Sequence, residues 1–312
     1  MAARGSRPAI LSVRDLTLAF GDFVLMRGLT FDVREGDVFV IMGGSGSGKS
    51  VLLRHMIGLL EPAHGEVFYR ERSFTRAGPK ERDEMLRRVG ILYQRNALWS
   101  SMTLAENVAL PLREYTDLSD EAVDEVARLK LALVGLRGFE DYLPSQISGG
   151  MQKRAGLARA MALDPEVLFF DEPSSGLDPV TARRLDELML ELRESLGTTL
   201  VVVSHDLASI FSIADDALLL DAEARTAIAL GHPRELLAHS RDPRVRRFLT
   251  RGREDGDGDG ARAARPADPQ RERPPDRPPD GPRDGTRDGT RDDRPDEPHD
   301  GPGEGGPMTR SR

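Results

Sequence analysis

One octapeptide restricts the folds open to this chain more than anything else in it. GGSGSGKS, Gly43 to Ser50, lies between the apolar run VFVIM and the helix-compatible KSVLLRHMIGLL. Together they satisfy G-x-x-x-x-G-K-[ST] in the strand, loop, helix order in which that pattern cradles phosphate. Gly43, Gly44, Gly46 and Gly48, with Ser45 and Ser47 among them, let the backbone wrap a phosphate chain with N–H groups turned inward. Lys49 supplies a point charge for the β and γ phosphates, and Ser50 a hydroxyl for Mg²⁺. A strand ending in a phosphate loop implies an α/β protein with a nucleotide site.

The apolar runs agree with that fold class. VFVIM (38–42), VLFF (167–170), TLVVV (199–203) and ALLL (217–220) read as strands, the middle ones buried on both faces as in a parallel sheet. Between Tyr93 and Leu163 strand signals give way to helix-compatible sequence such as SDEAVDEVARLKLALVGL, which Ser119 can cap, so a helical insert is expected there. VLFFDEP (167–173) ends a buried strand in two carboxylates, where ligands bind in open α/β sheets. Asp171 then suits Mg²⁺, and Glu172 the orientation or deprotonation of an attacking water. His205 follows TLVVVS in the same way and can reach a terminal phosphate, although a histidine at a strand end is often only a satisfied polar group.

Composition removes other classes. The chain has no cysteine, which excludes disulfides, thiolate metal sites and thiol catalysis. No run approaches the roughly 20 apolar residues of a membrane span, so a cytoplasmic chain is expected, able to reach a membrane through a partner. Arg251 to Arg312 holds near-repeats such as RPPDRPPDGPRDGTRDGTRDD without a single Val, Ile, Leu, Phe, Tyr or Trp, and reads as a disordered tail. Its acids outnumber its arginines and the whole chain carries a net charge of -8, which argues against nucleic acid as a partner.

A second anion cradle complicates the picture. QISGGMQKRAGLARA (146–160) sets Ser148, Gly149 and Gly150 at the start of a helix, leaving backbone N–H groups accessible. GGSGSGKS, the lone Gln94 after ILY, ISGG (147–150), FFDEP, SGLD (175–178) and SHD (204–206) follow one another as in ATP-binding cassette (ABC) proteins, which residues 8 to 250 resemble. The resemblance implies a P-loop NTPase core with a helical subdomain at about 95–163 and an antiparallel β edge. It implies ATP and Mg²⁺ as cofactors, with Mg²⁺ on Ser50, Gln94 and Asp171 and hydrolysis carried by Glu172, His205 and Gln94. It also implies a head-to-tail dimer, in which Ser148, Gly149 and Gly150 of one copy close over the ATP held by the other.

Two residues depart from the family pattern. Met151 stands where a glutamine usually follows Ser-Gly-Gly, and Val51 where a hydroxyl residue usually follows the phosphate-loop serine. Each loses an uncharged hydrogen bond worth about 1 kcal/mol, which lowers affinity without abolishing it, and with Glu172 and His205 present hydrolysis is still expected. Phe20, upstream of the loop, resembles the aromatic that stacks on adenine; interior packing is the alternative. Trp99, Leu98 and Met102 either receive a helix from a membrane permease or pack the helical insert. SGGMQKRAGLARAMALDPEVLFFDEP, ALPLREYT and DPRVRRFLTRG are similar to ATPases of Mla and Mce lipid transporters. That similarity implies a permease of the same type, an MCE-domain lipid-binding partner beyond it, and a position on the inner face of the cytoplasmic membrane. A transporter of another substrate, or a soluble cassette acting on DNA or ribosomes, are the rival readings.

Overall fold

The chain opens as a long antiparallel hairpin, β1 (Ala9–Phe20) and β2 (Phe23–Arg34), turned through Gly21 and extended on the other edge of β1 by β4 (His64–Tyr69) and β5 (Arg72–Ser73). In this computed structural model residues 7–94 and 97–254 are described. VFVIM becomes β3 (Val38–Gly43), the phosphate loop follows, and α1 (Lys49–Met56) begins directly behind it. After α2 (Pro79–Leu86) and β6 (Val89–Leu92) come three helices, α3 (Leu104–Tyr115), α4 (Asp120–Leu133) and α5 (Gly149–Ala160). The chain returns to the sheet as β7 (Val167–Asp171), α6 (Pro179–Leu196), β8 (Thr199–Ser204), α7 (Leu207–Ile213), β9 (Asp216–Asp221) and β10 (Thr226–Gly231). It continues through α8 (Pro233–His239) and α9 (Pro243–Glu254).

The second sheet has the order β10-β9-β3-β8-β7-β6, parallel except for β10. The expected α/β class with an antiparallel edge is therefore what the chain adopts. Strands β3, β7 and β8 are buried at every position, which explains why they are continuous apolar runs without polar alternation. Their alternate side chains feed two separate cores. Val38, Val40, Met42, Phe170 and Val202 face the helical side, whereas Phe39, Ile41, Phe169, Val201 and Val203 face the antiparallel sheet. Phe39 stacks on Phe31 of β2 at 5.3 Å between ring centroids, joining the two sheets through one aromatic pair.

Helix starts follow their caps. Ser119 accepts from the Ala122 N–H, Thr103 and Glu106 form a reciprocal box on α3, and Asp178 accepts from the N–H groups of Val180 and Thr181. α9 is held by Val245 and Leu249, both buried in the helical-side core, and it runs on to Glu254, past the boundary expected at 250. The expected disordered tail otherwise lies outside the described residues. No described helix is long and apolar enough to cross a membrane.

Candidate functional site

Parallel pairing brings three loops to one level. Met42 pairs with Ser204 and Val203 with Asp171, so β3, β8 and β7 end side by side. The loops that follow them carry the phosphate loop, His205 and Glu172. They border a groove of about 1280 Å³. Its far wall is built from α7, α8 and α9, including Arg234 and Arg246, neither of them among the residues expected at the site.

Close approach explains the first glycine of the loop. A Cβ on Gly43, whose φ is +154°, would sit 2.5 Å from Ser47 Oγ and 2.7 Å from the Leu220 carbonyl oxygen. Gly48, at φ +80°, forms the N-terminal junction of α1 with no side-chain cap, so the first N–H groups of that helix are left for an anion. Ser47 Oγ is buried without a hydrogen-bond partner, a cost that an incoming phosphate oxygen would remove. Lys49 Nζ donates to the carbonyl oxygens of Gly43 and Gly44 at 3.0 and 3.1 Å. Burial pushes its pKa below the usual lysine value, opposed by the nearby charges of Glu172 and Asp171.

Two carboxylates act on the same lysine. Ser50 Oγ donates to Asp171 Oδ1 at 2.7 Å. Glu172 Oε1 is 4.0 Å from Lys49 Nζ, and its Oε2 is 2.7 Å from His205 Nδ1. Glu172 itself has φ +52°, an uncommon conformation for a residue with a side chain, of the kind that collects at functional sites. Gln94 lies on the same groove and donates through Nε2 to Ser175 Oγ at 3.5 Å. One carboxylate, one hydroxyl and one amide oxygen suit Mg²⁺ completed by substrate phosphates, and the orphaned Ser47 hydroxyl with the glycine cradle suits a triphosphate.

Other candidate residues fall elsewhere. Ser148 caps α5 by accepting from the Met151 N–H at 3.3 Å. It is exposed with Gly149 and does not border its own chain's phosphate groove. Gly150 packs so closely on Thr181 that a Cβ would lie 2.7 Å from the Thr181 methyl. Phe20 is 52% exposed at the hairpin turn, so interior packing is not its role. The same hairpin lays Leu25 against Gly48 of the phosphate loop. Trp99 is 58% exposed, whereas Leu98 packs partly against the core. The Trp99 loop is held by Asn107, fully buried, whose amide accepts from Trp99 N–H and donates to the carbonyls of Trp99, Met102 and Thr103. The only advance sign of Asn107 was a polar residue within the apolar LAENVALPL.

Comparison with known proteins adds independent observations. The family profile described as ABC transporter matches residues 26–175. The intermembrane phospholipid transport system ATP-binding protein MlaF of Haemophilus influenzae is 40% identical over 247 residues, 79% of this chain and 92% of that protein. The "Probable ribonucleotide transport ATP-binding protein mkl" of Mycobacterium leprae is 39% identical over 239 residues, 77% of this chain and 68% of that one. Among solved structures, cbiO1 of Clostridium perfringens, part of the ABC transporter complex cbiONQ, superposes with a TM-score of 0.69 at 25% identity over 80% of this chain and 98% of its own. The ATP-binding cassette MJ0796, in a dimeric post-hydrolysis state with ADP and Pi, superposes with a TM-score of 0.64 at 28% identity over 71% and 98%.

Proposed function

Because this chain belongs to the ABC transporter family, we propose that it is the ATP-hydrolysing subunit of a transporter that moves phospholipid between envelope membranes through a separate permease. The observation that carries hydrolysis is Glu172 held between Lys49 and His205 beside the phosphate loop. The lipid substrate is supported by the MlaF relatives. The mycobacterial relatives favour a second reading, a ribonucleotide substrate for the same ATPase. Assay of purified transporter for co-purifying phospholipid or ribonucleotide separates the two.

In the proposed reaction Lys49 turns from the Gly43 and Gly44 carbonyls to the β and γ phosphates, and Ser47 donates its hydroxyl to a phosphate oxygen. Ser50, Asp171 and Gln94 would hold Mg²⁺, which would neutralise charge developing on the phosphates. Glu172 accepts the proton of a water whose oxygen attacks the γ phosphorus while the bond to the ADP oxygen breaks. His205 keeps Glu172 oriented and faces the γ phosphate. Ser148, Gly149 and Gly150 of a second copy close the site, consistent with the exposure of Ser148 and Gly149 and with all three standing outside the lining of their own groove. Phe20 stacks on adenine. Trp99 and its neighbours meet the permease on the cytoplasmic face of the membrane, with an MCE-domain protein beyond it.

A mixing experiment tests the shared site. Ser148→Arg blocks closure but leaves ATP binding to its own phosphate loop, and Lys49→Ala loses phosphate binding but keeps its Ser-Gly-Gly. A heterodimer of the two has one site with both defects and one with neither, so mixing inactive variants restores part of the hydrolysis. Loss of ATP binding in isolated Ser148→Arg would instead assign Ser148 to its own chain's nucleotide and overturn the head-to-tail reading.

A further inference from the structure

Two cations on α5 reach the same loop. Lys153 is 4% exposed, and its Nζ donates to the main-chain oxygen of Gln94 at 2.6 Å. Less than two turns further along, about 9 Å on the helix axis, Arg159 Nη1 donates to the main-chain oxygen of Ala97 at 2.5 Å. The helix that Ser148 caps therefore grips both ends of the short segment that begins with Gln94.

A charged residue is an expensive choice for this contact. Burial pushes the Lys153 ammonium below its usual pKa, and the carboxylates of Asp171 and Glu172 counter that shift. Lys153 is thus a second buried lysine, besides Lys49, whose charge interacts with Asp171 and Glu172, and it comes from a different element. Packing alone would be served by an apolar side chain of similar length. An ammonium adds a strong hydrogen bond to one backbone oxygen. A displacement of Gln94 then displaces Lys153, and with it the helix whose first turn is Ser148 to Gly150.

We infer that Lys153, assisted by Arg159, is a positioning residue for hydrolysis: it fixes the Gln94 backbone and joins Gln94 to the Ser148 helix as one moving body. This rests on the metal-binding and catalytic role proposed above for Gln94. Lys153 is buried and does not line the groove, and its Nζ donates to the Gln94 main chain, so its loss acts through Gln94.

The test uses the full-length chain with Lys153→Met, Lys153→Arg, Gln94→Ala and the Lys153→Met/Gln94→Ala pair, measuring kcat, ATP affinity and the Mg²⁺ concentration at half-maximal rate. Removing a charge-assisted hydrogen bond predicts a kcat roughly ten- to a hundredfold lower in Lys153→Met. Its ATP affinity stays within about twofold of wild type, because Lys49 and the phosphate loop are untouched. The half-saturating Mg²⁺ concentration rises in Lys153→Met and Gln94→Ala alike, the double variant is no worse than the poorer single one, and Lys153→Arg recovers most of the rate. Should Lys153→Met not fold, Arg159→Gln applies the same test from the partly exposed end of the grip, with the same Mg²⁺ signature expected. Wild-type kinetics in a folded Lys153→Met or Arg159→Gln variant, or defects that simply add to those of Gln94→Ala, overturn the inference while leaving the role of Gln94 standing. Wild-type behaviour of Gln94→Ala itself overturns that role, and the inference with it.

Discussion

Ser47→Ala should move stability and nucleotide affinity in opposite directions. Ser47 Oγ is buried with no hydrogen-bond partner, and it lies so close to Gly43 that a Cβ there would be 2.5 Å away. A buried hydroxyl left unpaired costs about 1–3 kcal/mol. Alanine removes that hydroxyl and leaves almost the same volume, so the nucleotide-free protein gains about 1 kcal/mol, or about 2–4 °C in Tm for a domain of this size. With ATP the balance reverses, because the wild-type hydroxyl then has a phosphate oxygen to donate to. Losing a hydrogen bond to a charged acceptor weakens binding roughly tenfold. At a ligand concentration of about 100 times the wild-type Kd, ligand-induced stabilisation falls from about 2.7 to about 1.4 kcal/mol. Urea denaturation with and without a non-hydrolysable ATP analogue and Mg²⁺ reads both quantities on one sample. A variant less stable without nucleotide, with the ligand-induced gain unchanged, would refute the assignment of Ser47 to the phosphate.

Glu172→Gln should bind ATP but not cleave it, giving a dimer stable on size exclusion with Mg²⁺ and ATP; wild-type turnover would remove Glu172 as the base. Phe20→Ala should weaken ATP binding about three- to tenfold while leaving pyrophosphate binding and Tm unchanged, since the ring is exposed and contributes only stacking. Burial raises the Asp186 pKa to about 6, with Asp206 and Glu187 adding repulsion and a Ser209 hydrogen bond opposing. The folded state therefore holds this proton between about pH 4 and 6 where the unfolded chain does not, and stability falls as pH rises through that window, by about 3 kcal/mol at most. Asp186→Asn, keeping an oxygen for Ser209 Oγ, should be more stable than wild type at pH 7.5 and lose that advantage by pH 4; a pH-independent difference would contradict the shift.

Where a side chain's surroundings follow from its immediate neighbours in the chain, the sequence was informative. VFVIM, VLFF and TLVVV read as strands because a strand covered on both faces has no polar alternation to disguise it. Ser119 marked a helix start because a cap acts within three residues. The phosphate loop combines strand, glycines and helix in one short window. Lys153 was illegible for the opposite reason: in QKRAGLAR it stands between polar residues and resembles a solvated face, and only the docking of α5 onto the Gln94 loop buries it. The α8 and α9 wall of the groove was hidden likewise, since Arg234 and Arg246 reach it from the far end of the chain.

The two departures from the family pattern have one physical explanation. Met151 is partly buried and packs against the helical-side core, while its backbone N–H donates to Ser148 Oγ. Val51 packs in the same way against the other core, and its carbonyl oxygen accepts from the His55 ring when Nδ1 carries the proton. Each substitution therefore places an apolar side chain where apolar contact is available and leaves the local backbone hydrogen bonds intact. In the proposed site, anion binding at both cradles would depend chiefly on backbone N–H groups, which a change of side chain one residue away does not remove. Met151 and Val51 shift weight from a polar side-chain contact to packing, so each is expected to lower nucleotide affinity without abolishing it.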